Sequence, residues 1–150
     1  MSDMPLSEIT LRKYETPYKL GKRELAKKIC LSLGLLQTSD SRDVIIDILL
    51  VLIDAQKKKE NLDLEEIKKK VIQSRKDSSC EEKGIADSNL RRQLRRLKDM
   101  MIVEKSENSY RISEFAPLSR VFEEKINNFY IPSIVSRIKE YLLELEKESG

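Results

Sequence analysis

Residues 85–113 read IADSNLRRQLRRLKDMMIVEKSENSYRIS. Leu90, Leu94, Leu97 and Met101 recur at spacings of four, three and four, the rhythm of one helical face. Turning the chain by 100° per residue from Leu90 keeps these four together and sends Ser88, Arg92, Arg95 and Asp99 to the opposite side. Asn89 and Arg96 fall on one shoulder and Arg91 on the other. The spacing predicts a helix over about 87–99 with an apolar inner face and an arginine-rich outer one. Ile102 and Val103 are β-branched, SENS (106–109) is a turn cluster, and Tyr110 and Ile112 alternate with Arg111 and Ser113. That pattern predicts two short strands joined by a tight turn.

Upstream, residues 42–58 carry apolar side chains around most of the circumference, from Val44 to Ile53, so this helix belongs at the centre of a core. Asp40 or Ser41 is placed to cap it. After a charged joint, KKKENL (57–62), Asp63 precedes Glu66 by three residues, a capping-box pattern that opens another helix with Leu64, Ile67 and Val71 facing inward. A polar loop beginning SRKDSSCEEKG (74–84) ends that helix near Arg75. Further upstream, Leu25, Ile29, Leu33 and Leu36 predict a helix over 20–36, preceded by a loosely docked arm. Downstream, Leu118, Phe122, Ile126 and Phe129 form the face of a helix over 116–127. Pro132 suits the first turn of a last helix, with Ile134, Ile138, Tyr141, Leu142 and Leu145 as its stripe.

Helix, helix, basic helix and hairpin is the chain order of a winged helix-turn-helix, and residues 42–113 resemble that family. The closest likeness lies in 85–113: a small-polar helix start, a leucine-spaced third helix, a hydrophobic exit, a turn and a tyrosine-bearing strand. Where such proteins often carry glycine, at the exit from the third helix, this chain has Met101. The loop between the second and third helices is also longer than the family's usual turn. The resemblance implies a mainly α (α+β) chain with additional N- and C-terminal helices: arm and helix over 1–41, winged helix over 42–113, helical extension over 114–150. It also implies an archaeal or bacterial type of transcriptional regulator.

The charges fit that expectation. From Lys83 to Lys105 seven basic side chains stand against three acidic ones, whereas from Ser106 to Gly150 six stand against eight. Small residues at a helix start allow close approach to a major groove, and arginine forks reach guanine edges or phosphates. The expected DNA contacts are Ser88, Asn89, Arg91, Arg92, Arg95 and Arg96 on the helix, Lys105 and Arg111 on the hairpin, and Lys68 and Lys69 on the preceding helix, where they meet phosphate. The stripe Ile134, Ile138, Tyr141, Leu142 and Leu145 predicts a homodimer through an antiparallel helix pair. The alternative is a winged helix that docks proteins in a replication, segregation or transcription assembly; it calls for apolar residues where the arginines stand.

Composition narrows the remaining classes. The 150 residues hold no histidine and two cysteines, Cys30 and Cys80, outside any CxxC pair, so neither a zinc site nor a disulfide framework is expected. Lacking the commonest general base, a phosphate loop and a nucleophile motif, the chain reads as a non-enzyme without cofactor or small-molecule ligand. Few aromatics argue against stacking on single strands. MSDMPLSEIT (1–10) is unlike a signal peptide. The apolar run VIIDILLVLIDA (44–55) is too short and too charged to span a bilayer. The expectation is a cytoplasmic chain that binds double-stranded DNA.

Overall fold

The computed structural model describes residues 3–40 and 42–149. Its elements in chain order are α1 (Lys22–Ser32), α2 (Val44–Lys58), β1 (Leu62–Asp63), α3 (Leu64–Asp77), α4 (Asp87–Asp99), β2 (Val103–Ser106), β3 (Ser109–Ile112), α5 (Leu118–Val121) and α6 (Ile131–Ser149). A 3₁₀ turn over Ser113–Phe115 precedes α5, and π-helical backbone over Phe122–Tyr130 joins α5 to α6. The result is a mixed α+β arrangement in which a helix pair, α3 and α4, is followed by a small antiparallel hairpin. Its layout is helix-turn-helix-like.

The all-round apolar character of α2 has the expected result: α1, α3, α4 and β3 all pack against it. Ile46, Ile48, Leu49 and Leu52 are fully buried there. Asp63 caps α3 as its spacing foretold, with Glu66 N–H donating to Asp63 Oδ1 (2.8 Å) and Asp63 N–H donating to Glu66 Oε1 (3.1 Å). The hairpin pairs Val103 with Ile112 and Ser106 with Ser109. The charged joint hides one further strand. Leu62, buried, pairs with Tyr110, so the antiparallel sheet runs β1-β3-β2. Two residues are too few to register as a strand pattern.

Several expectations are corrected. α1 is shorter than 20–36, and its fully buried residues are Ala26, Cys30 and Leu31; of the expected stripe Leu36 is buried, Ile29 and Leu33 pack partly buried against the core, and Leu25 is 41% exposed. Leu25, Ile29 and Leu33 line an apolar groove of about 520 Å³ opposite Leu118 and Phe122. Among the described residues the arm holds no helix or strand, yet it is anchored at Arg12. Arg12 Nη1 donates to Leu31 O (2.9 Å), its Nη2 to Gln37 Oε1 (2.6 Å), and its backbone N–H to Ser32 O (2.8 Å). Gly34 makes this contact possible. It sits at φ +70°, and a Cβ there would lie 2.5 Å from Thr10 Cβ. Asp40 does not cap α2, since its carboxylate accepts from Gln37 N–H (2.8 Å); Ser41, the other candidate, lies outside the described residues. The helices expected over 116–127 and after Pro132 are one uninterrupted run. Pro132 has no N–H to donate, and it sits just past the π-helical stretch, whose wider turn is a common accommodation of a broken α-helical ladder. Phe129, expected inward, is 58% exposed.

A single core cluster runs from Ala26 to Ile126. α6 contributes no buried residue to it. Among the described residues no helix is long and apolar enough to cross a membrane.

Candidate nucleic-acid interface

α4 has the two faces its spacing foretells. Leu90, Leu94 and Leu97 are fully buried, with Gln93 nearly so, while Ser88, Arg91, Arg92, Arg95, Lys98 and Asp99 are exposed. Arg91 and Arg95 make no hydrogen bond or ion pair with any described residue. Arg92 Nη2 donates to Asn89 Oδ1 (3.0 Å), a neutral acceptor that orients the guanidinium without cancelling its charge. Arg96 is half-buried on the shoulder. Its Nη1 donates to Gln93 Oε1 (2.8 Å) and its Nη2 to Gly34 O (3.2 Å), which ties α4 to the end of α1. Asn89 is equally occupied, with Nδ2 donating to Gly84 O (2.7 Å) at the close of the preceding loop.

The other expected contacts divide by their partners. Lys68 Nζ lies 3.0 Å from Asp87 Oδ1 and joins α3 to α4, whereas Lys69 is exposed and unpaired among the described residues. Arg111 Nε lies 2.8 Å from Glu104 Oε2, and its guanidinium stacks over Phe115. Lys105, exposed, extends over the Tyr110 ring. The hairpin therefore offers Lys105 outward and holds Arg111 against its own chain. Met101 leaves α4 with φ +66°, the left-handed conformation that glycine adopts without cost.

A buried ionic network that the sequence pattern does not reveal ties α1, α2 and α3 together and reaches the loop that leads into α4. Asp47 of α2 is fully buried and receives Arg23 Nη1 of α1 (2.6 Å), Arg75 Nη1 of α3 (2.7 Å) and Ser74 Oγ (2.7 Å). Asp43, the residue at the start of α2, turns its carboxylate to Arg75 (3.0 Å) and Arg23 (3.5 Å) rather than capping its own helix. Arg75 Nε also donates to Glu81 O (2.5 Å), pinning the loop over 78–86 that leads into α4. Burial works against the Arg75 and Arg23 charges, but hydrogen bonds and the charges of Asp47 and Asp43 outweigh it and raise both pKa values. The only sequence sign was an acidic residue inside the most apolar helix. Nothing in the spacing names partners 24 and 28 residues away.

The expected dimer stripe lies on α6, with Ile138, Tyr141, Leu142 and Leu145 between 52% and 72% exposed and Ile134 half-buried. Val135, 42% exposed, belongs with them. No family model, curated protein or solved structure matches the chain.

Proposed function

We propose that this chain is a winged-helix protein that binds double-stranded DNA in a sequence-specific way, with α4 in the major groove, and acts as a dimeric transcriptional regulator. The observation that carries the reading is the outer face of α4, where Arg91, Arg92 and Arg95 stand exposed with no carboxylate partner among the described residues. Exposed arginines on a structural helix usually find an acidic neighbour; unpaired ones on a helix held by a buried scaffold suit an anionic partner. The helix order and the β1-β3-β2 sheet support the winged-helix assignment.

The homodimer rests on α6. Val135, Ile138, Leu142 and Leu145 repeat at spacings of three, four and three, the seam of a helix pair. An exposed apolar seam is self-complementary across a two-fold axis, which makes a second copy of the chain its fitting partner.

The test is the affinity of the parent, Arg91→Ala and Arg95→Ala for a selected duplex and a random one, read by fluorescence anisotropy at several salt concentrations. An arginine that forks onto guanine is expected to cost about 1–3 kcal/mol on the selected duplex and to relax discrimination at one base. A parent that binds no duplex, or variants that bind as the parent does, would sink the reading and favour a protein-docking role.

A further inference from the structure

Beside α4 lies a second polar cavity, of about 280 Å³, that the DNA reading of the helix does not account for. It is lined from parts of the chain distant in sequence: Leu35 after α1, Arg42 just before α2, Ile45 in its first turn, and Arg92 and Arg96 on α4, with Asp40 at its wall. Arg42 is exposed and has no partner among the described residues. Arg92 and Arg96 bond only to neutral oxygens, those of Asn89, Gln93 and Gly34. Asp40 is the one opposing charge in the lining, and its Oδ2 is already accepting from Gln37 N–H. Three arginine side chains thus line one space, against one carboxylate among the described lining residues. Such an excess of planar, forked donors matches a tetrahedral oxyanion. The space is several times the ~30 Å³ share of one water, which leaves room for a phosphate with residual water.

We infer that this cavity is a phosphate-binding site and that it takes a phosphodiester of the DNA strand running past the Arg96 shoulder of α4. The assignment to a strand rests on the DNA reading of α4. Arg42 is the added contact: it lies outside the helix and hairpin whose arginines and lysines the sequence pattern singles out. A phosphate held there fixes the position of the backbone beside α4 and carries no base information.

The experiment compares the parent, Arg42→Ala and Arg42→Lys in two measurements. In the first, affinity for the selected and random duplexes is followed against salt. Arg42→Ala is expected to weaken both duplexes by the same factor and to lower the slope of log K against log salt by about one, while Arg42→Lys keeps the slope. In the second, thermal melts are recorded with inorganic phosphate against chloride at equal ionic strength. Phosphate is expected to raise the melting temperature of the parent more than that of Arg42→Ala. Duplex binding by Arg42→Ala with the parental slope overturns the strand contact, although the α4 reading survives. A parent that binds no duplex but shows an Arg42-dependent phosphate effect removes the α4 reading and assigns the cavity to free phosphate. With neither effect present, the site itself is overturned.

Discussion

Asp47 sits on the most apolar helix of the chain, is fully buried, and gathers Arg23, Arg75 and Ser74 around its two oxygens. Removing one partner of such a group leaves the other charge buried without compensation, and Arg75 is only 4% exposed. Asp47→Asn is therefore expected to cost about 3–5 kcal/mol in urea denaturation. A loss below about 1 kcal/mol would show that Asp43 alone suffices for both arginines. Replacing Asp47, Arg23 and Arg75 together by apolar residues of similar volume is the milder change, since no charge is then stranded. Cys30 gives a pH signature. Burial pushes its thiol from an ordinary value near 9.0 up to about 12, with the nearby Arg96 charge offsetting a little. The folded chain thus prefers the neutral thiol. This stabilisation is complete below about pH 9 and is lost as pH rises towards about 12. The stability of the parent should fall more steeply over that interval than that of Cys30→Ala, and equal slopes in the two would contradict the burial. At neutral pH a thiol reagent is expected to label the half-buried Cys80 and spare Cys30 until the chain unfolds.

At the scale of elements, what the sequence made legible is what periodicity and capping encode. α2, α3, α4 and the β2–β3 hairpin all stand where their spacing put them, and the inward and outward faces of α4 came from counting residues from Leu90. Three features escaped, each for a physical reason. β1 owes its existence to Leu62 meeting Tyr110, a pairing set by tertiary position and not by a two-residue pattern. α1 buries Ala26 and Cys30, small side chains that permit close approach to α2, while of the larger stripe Ile29 and Leu33 are only partly buried and Leu25 is exposed. The joining of α5 to α6 depended on how the backbone absorbs Pro132, whereas a proline in sequence signals a boundary. For the candidate site, the exposed arginines were legible and their partners were not. Periodicity says which way a side chain points; whether Arg111 finds Glu104, or Arg91 finds nothing, is decided by neighbours that pattern does not register.

The whole molecule divides into a body with one core and a helix that touches it only at its start, where Ile131 packs partly buried against the cluster. No residue of α6 is fully buried, and its exposed apolar seam runs from Val135 to Leu145, roughly 15 Å of helix. Removal of residues 133–150 is thus expected to leave the thermal transition of the body nearly unchanged and, if α6 forms the proposed dimer, to leave only a monomer in sedimentation or light scattering. A truncated chain that keeps the parental mass would place the interface elsewhere, with the apolar groove beside α1 as the first alternative surface. A truncated chain that fails to fold would mean that α6 supports the body only through its partner copy.

Because helical backbone runs unbroken from Leu118 to Ser149, the direction in which the seam faces is fixed relative to the body by the number of helical residues that precede it. One extra residue after Ser133 turns the seam by about 100° relative to the body. If two copies pair along α6 as proposed, such an insertion rotates their arginine faces out of step. Under the proposed dimeric DNA-binding role, the angle between the two arginine faces is therefore set by the number of helical residues between Leu118 and the seam.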